Sequence, residues 1–162
     1  VSDLEARVTE LAARLAAVED ELAITRLLTS YGFAVDGDDA DACAALYSPD
    51  ALVTIDDAVR LEGRAEIRTI VTSDAHQAIL PGCAHVMGPF TVEVSGDAAT
   101  ATGYATVYVA AEAGRLVWRQ SLSRWTLQRR PEGWRVQRRE SWAIGRAQGQ
   151  AIARDGARRT LS

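Results

Sequence analysis

Residues 85–145 read HVMGPFTVEVSGDAATATGYATVYVAAEAGRLVWRQSLSRWTLQRRPEGWRVQRRESWAIG. Apolar and polar side chains alternate through most of this stretch, with breaks at Gly96–Asp97, Gly114 and Pro131–Glu132–Gly133. A period of two punctuated by turn residues is the pattern of half-buried strands joined by tight connections, and it predicts an antiparallel meander of about four strands. Gly88–Pro89 permits a bulge in the first of them.

Upstream of the meander the period lengthens. Leu4, Val8, Leu11, Leu15, Val18 and Leu22 recur at steps of four and three, a helical stripe of about three heptads that predicts a leading helix over residues 1–18. Such a helix packs on another chain or covers its own core. A second helix is expected from Glu19 to Val35, with Ile24, Leu27, Leu28, Tyr31 and Val35 on one face and Gly37 as its stop. DADACAALYSPDA reads as a short helix capped by Asp39 or Asp41 and ended by Pro49. ALVTID and VRLEG form a strand pair around Asp56–Asp57, and GRAEIRTIVTSDAH returns to helical spacing. Helices followed by a long sheet make an α+β fold in which a curved antiparallel sheet wraps around the helices and leaves a cone-shaped cavity. Residues 19–145 form that domain, and 146–162 a tail that is a short helix or mobile.

A chain of 162 residues, 48% hydrophobic, fits one globular domain. With no long apolar run and a charged beginning, it is expected to be cytoplasmic and away from membranes. The net charge of -4 conceals an asymmetry: residues 1–62 hold fourteen acids and four arginines, and 63–162 eight acids and fourteen arginines. Every basic residue is Arg, so Schiff-base, P-loop and lysine-base chemistry is excluded. Asn is absent, and the only histidines are His76 and His85. Acid–base work near neutral pH therefore falls on few groups.

The cluster Asp36, Asp38, Asp39 and Asp41 lacks calcium-loop spacing, since a loop begun at Asp36 puts Asp41 where Gly belongs and Tyr47 where the bidentate Glu belongs. Asp38, Asp39 and Asp41 suit a solvated turn and a helix N-cap. Asp36 ends a helix with a buried face and needs a partner. His76 reads as an exposed or C-terminal capping residue. His85 begins the first meander strand, where residues alternate between cavity and outside. His76, Cys83 and His85 form no recognised zinc set, and Cys43 and Cys83 read as reduced structural thiols.

ELAITRLLTSYGFAVDGDDADACAALYSPDALV, CAHVMG ahead of VEVSGDAATATGYATVYV, and SRWTLQRRPEGWRVQRRESW together resemble the SnoaL-like branch of the NTF2-like superfamily, over Glu19 to Trp142. The pattern is most similar to the group holding scytalone dehydratase, bile-acid 7α-dehydratase and a dehydrochlorinase. The resemblance implies an Asp–His dyad at Asp36 and His85, with Tyr31 and Arg146 at positions matching a Tyr and an Arg of the bile-acid enzyme. It also implies no cofactor, and an oligomer, trimeric as in the related dehydratases or dimeric as in other members. Limonene epoxide hydrolase chemistry needs an Asn this chain lacks, and GYATVYVAA offers no inward acid of the ketosteroid isomerase kind.

The activity so expected is a lyase or isomerase: His85 removes a proton from a small, hydrophobic, cyclic substrate, Asp36 orients it, Tyr31 donates to a developing oxyanion and Arg146 binds a carboxylate or covers the pocket. Tyr104, Tyr108, Trp118, Trp125 and Trp142 are candidate pocket walls, with core packing as their other reading. Two other classes stand beside this one. A non-catalytic module would hold an apolar ligand in the same cone, with Asp36–His85 as a structural contact. Nucleic-acid binding through the meander arginines is disfavoured by their placement on both strand faces and by the net negative charge.

Overall fold

The helical stripe that begins at Leu4 does not break near residue 18. In the computed structural model, which describes residues 3–159, a single helix α1 runs Asp3–Asp36. The two expected helices are one, because Val18–Glu19–Asp20–Glu21 contains no Gly, Pro or cap to interrupt the ladder. The first two residues of the expected leading helix and the last three of the tail lie outside the described residues. What changes along α1 is the face that is used: Ile24, Leu28, Tyr31 and Val35 are buried, whereas the side chains of the heptad stripe are exposed. Asp20 marks the change. Arg129 holds its carboxylate through two bonds of 2.8 and 2.6 Å, and the indole N–H of Trp134 donates a third of 3.0 Å.

Helix α1 ends where Gly37 N–H returns to Phe33 O and Asp38 takes a left-handed φ of 56°. Asp39 then caps α2 (Ala40–Ala45), its carboxylate accepting from Ala42 N–H at 2.8 Å. Asp41, the other expected cap, pairs with Arg68 instead. Pro49 does not end the helix; it lies inside strand β1 (Tyr47–Ile55), where the pairing register shifts between Tyr47 and Leu52 and no ladder donor is demanded of it. The turn at Asp56 leads to β2 (Val59–Glu62), and the helical segment beyond it is three short pieces: α3 (Gly63–Ile67), α4 (Thr69–Thr72) and α5 (Asp74–Gln77).

The meander forms as the alternation predicts, as β3 (Cys83–Ser95), β4 (Ala98–Ala111), β5 (Gly114–Arg130) and β6 (Gly133–Ala143). Strand order is β2-β1-β6-β5-β4-β3. The sheet is mixed, because β1 joins β6 in parallel. Register shifts between Met87 and Phe90, Val107 and Tyr108, and Thr126 and Leu127 bend the long strands. They curl the sheet around α1, so that Ile24, Leu28 and Val35 share a core with Tyr47, Trp125, Leu127 and Val136. The tail forms α6 (Ala147–Arg159) on the other face of the sheet, seated by Gly149 beside Trp142, by Gly156 beside Thr102 and by an Arg124–Asp155 ion pair. No helix among the described residues is long and apolar enough to cross a membrane.

Helix α1 approaches β3 at Gly32, where an added Cβ would lie 2.4 Å from the carbonyl oxygen of His85. A backbone atom cannot move aside as a side-chain tip can. Gly32→Ala should therefore push α1 off β3 and destabilise the fold by about 1–3 kcal/mol, read as a lowered Tm.

Candidate active site

His85 lies on β3, an edge strand of the sheet, on the strand face shared with the partly buried Cys83 and Met87. Its backbone N–H is taken by the Oδ2 of Asp36 at 2.7 Å, while Oδ1 accepts from the ring Nδ1 at 2.6 Å. One carboxylate at the last residue of α1 thus fixes both the main chain and the imidazole of the same residue. A carboxylate only accepts, so Nδ1 carries the proton and Nε2 keeps a lone pair. The Cys83 thiol also donates to Oδ1, at 3.5 Å. Burial and the Asp36 charge push Cys83 up to about 11, so it stays a thiol.

His85 borders a cavity of about 460 Å³ together with Tyr31, His76, Trp118, Arg119 and Arg139, and with aliphatic side chains such as Leu61, Ile70 and Val107. Tyr31 and Asp36 do not share a wall. Tyr31 lines the cavity, and Asp36 sits behind His85, which reconciles positions roughly 140° apart on an ideal helix with one site. Burial lowers the pKa of His85 from its ordinary 6.5; the Asp36 hydrogen bond and charge oppose this, and His76 and Arg139 add to the lowering. Burial also raises the Tyr31 phenol, so it remains an O–H donor, with the Arg139 charge acting in the opposite sense.

His76 is not exposed. It is 7% accessible, its ring lies 5.7 Å from that of His85, and its Nε2 donates to Val35 O at 2.8 Å. The physical reason is that the last turn of α1 leaves carbonyls without helical partners. One-turn α5 brings His76 to that helix end rather than to its own.

Arg139 was not singled out by its sequence pattern, yet it is the most unusual group in the cavity. It is 5% accessible, and its guanidinium lies 4.4 Å over the Tyr31 ring and 4.5 Å over that of Trp125. Its Nε and Nη1 have no hydrogen-bond partner, and no carboxylate among the described residues pairs with it. Arg119, by contrast, is neutralised by Asp56 at 2.8 Å. The bulge in β6 explains why Arg139 escapes notice: Thr126 pairs with Arg138 and Leu127 with Val136, so Gln137 is passed over and the inward parity changes from Trp134 and Val136 to Arg139 and Ser141.

Of the expected wall residues, Trp118 lines the cavity, at the point where β4 and β5 slip register. Trp125 is core, packed against Tyr31 at 5.8 Å. Tyr104 is half-exposed in a shallow depression by α6, and Trp142 lies beneath Gly149 of that helix. Tyr108, one residue past the cavity-lining Val107 at the same slip, and the exposed Arg146, in the turn before α6, do not border the cavity. Tyr104 and Trp142 face away because strand alternation turns them to the side of the sheet that α6 covers. Asp36, Cys83 and His85 bring three metal-ligating atoms within 4.8 Å of one another. In this arrangement Asp36 Oδ1 already serves both neighbours.

The SnoaL-like domain matches residues 16–140 of the chain. The chain belongs to this family. An NTF2-like protein with a cystatin-like fold from Novosphingobium aromaticivorans is 38% identical with a TM-score of 0.86, over 89% of this chain and 95% of that one. A provisionally named scytalone dehydratase from Novosphingobium aromaticivorans is 18% identical, TM-score 0.68, over 80% of this SnoaL-like chain and 96% of its own length. A provisionally named dehydratase of the NTF2-like family from Streptomyces avermitilis is 14% identical, TM-score 0.68, over 80% and 99%. The last two share the fold. No curated protein matches the SnoaL-like chain in sequence.

Folded His85 takes a proton less readily than the unfolded chain does, so the unfolded state binds more protons and stability should fall as pH drops below about 6.5. Asp36→Asn removes the group that opposes the lowering. An NMR titration of the ring should show His85 titrating below its ordinary value, and lower still in Asp36→Asn.

Proposed function

We propose that the protein is a cofactor-independent lyase or isomerase of the dehydratase type, acting on a small, hydrophobic, cyclic substrate. The observation that carries this reading is the Asp36–His85 contact: Nδ1 is held at 2.6 Å by a carboxylate while the ring borders a largely apolar cavity. Nε2 is then a neutral base at pH 7, with its pKa lowered by burial. It removes a proton from carbon beside a carbonyl. The released electron pair moves toward the carbonyl oxygen, and the negative charge that develops there is met by the Tyr31 O–H and the Arg139 guanidinium. In a dehydration the returning electrons form the C=C bond and expel a β-hydroxyl, which takes the proton back from the His85 imidazolium and leaves as water. In an isomerisation the same proton returns to a different carbon. The Asp36 carboxylate stabilises the imidazolium in either case.

The Arg139 guanidinium, which has no carboxylate partner among the described residues, supports this reading from a separate direction. A buried charge without a carboxylate is costly to the fold, and its use is to meet negative charge that appears on the substrate.

Cyclic β-hydroxy ketones and their α,β-unsaturated products are the substrates to screen. His85→Ala should lower kcat by about 10²–10⁴ with Tm unchanged, and kcat/KM should rise with pH to a plateau reached by neutrality, through a pKa below 6.5. A ligand that stabilises wild type and His85→Ala equally, without being converted, would instead favour the binding module. Arg139→Met should lower kcat while the fold is retained, because the cation that would meet the developing charge is removed with little loss of volume.

A further inference from the structure

From Asp3 to Glu19 every residue of α1 is exposed, so roughly 25 Å of helix stands free of its own domain. A helix of this length is marginal in water without a packed face. The free segment nevertheless carries Leu4, Val8, Leu11, Leu15, Val18 and Leu22, each 46–70% accessible. These point roughly 150° away from the side on which Ile24, Leu28, Tyr31 and Val35 enter the core, so the stripe cannot reach that core by rolling the helix. The Asp20–Arg129–Trp134 cluster fixes the point and angle at which the segment leaves the domain.

We propose that the free segment of α1 is the docking surface for the same segment of a second copy of this chain, in a parallel, in-register coiled coil. Val8, Leu15 and Leu22 occupy the a positions, and Leu4, Leu11 and Val18 the d positions. The charges beside this seam choose the partner and its direction. Arg7, Arg14 and Glu21 fall at g, and Ala12, Glu19 and Arg26 at e. In the parallel pairing Arg14 meets Glu19 of the second copy, Glu21 meets Arg26, and Arg7 meets Ala12, so two contacts are attractive and none is repulsive. The antiparallel pairing also joins Arg7 to Glu21, but it sets Arg14 against Arg14 and Glu5 against Glu19, repulsive contacts that the parallel pairing lacks. Arg14, Glu19, Glu21 and Arg26 are exposed and form no ion pair within the described residues, so they are available for the contact.

Sedimentation velocity on the wild-type chain and its variants tests the proposal. Wild type should be oligomeric at micromolar concentration, and Leu11→Glu/Leu15→Glu should be monomeric with an unchanged domain Tm, since both side chains lie outside the core. Arg14→Glu should weaken association about tenfold, and Arg14→Glu/Glu19→Arg should restore it. Leu4→Cys should form a disulfide-linked dimer on oxidation where wild type does not, because only the parallel register brings that position together with itself. A monomeric wild type, or an oligomer that survives Leu11→Glu/Leu15→Glu, would overturn the proposal. Failure of Leu4→Cys to cross-link in a wild-type-like oligomer would do the same.

Discussion

Asp36 is the joint on which the site depends. Its two oxygens accept the ring N–H and the main-chain N–H of His85, so a single side chain fixes the position of the strand and the tautomer and rotation of the imidazole. The main-chain donor is available because β3 is an edge strand, where part of the N–H row has no neighbour to receive it. A central strand would have offered no such donor. The edge of the sheet is closed locally by the group that arms the histidine, and Gly32 lets the helix come close enough for that to happen.

The environment of His85 balances two opposed effects. Burial and the neighbouring His76 and Arg139 disfavour the imidazolium, and Asp36 favours it. With Asp36 alone, the ring would be protonated more readily than an ordinary histidine. With burial alone, it would be neutral and a poor proton acceptor. In the proposed reaction, a ring placed between the two is unprotonated at rest and has a stabilising partner at the moment it takes a proton. Arg139 belongs to the same balance. Its charge adds to the lowering that burial sets for His85, and it is held against two aromatic faces, Tyr31 and Trp125.

The elements legible in the sequence are those set by local chemistry. Turn residues divide the meander, Gly37 ends α1, and the scarcity of bases leaves His85 and Asp36 as the pair that a SnoaL-like resemblance also indicates. What was not legible depends on parity and on distant contacts. A bulge at Gln137 reverses which residues of β6 face inward, so Arg139 looks like one of a run of solvated arginines. Trp142 and Tyr104 look like pocket aromatics until α6 claims the outer face they occupy. The partner of His76 is a carbonyl 41 residues earlier, which no spacing rule could supply. The parallel docking of β1 on β6 is likewise set by where the meander leaves a free edge.

Helix α1 joins on one continuous rod two apolar surfaces that sequence periodicity reads as two helices. Steps of four and three run from Leu4 to Leu22 and again from Ile24 to Val35, and the step of two between Leu22 and Ile24 moves the stripe to another side of the helix. A helix amphipathic on one face throughout would have buried its whole length against the sheet. The change of side means that the lower half is committed to the core and carries Asp36 at its end, while the upper half presents its aliphatic side chains elsewhere. Because the helix is continuous and pinned at Asp20, whatever orders the upper half also restrains the rotation of the lower half, and with it the carboxylate that orients His85.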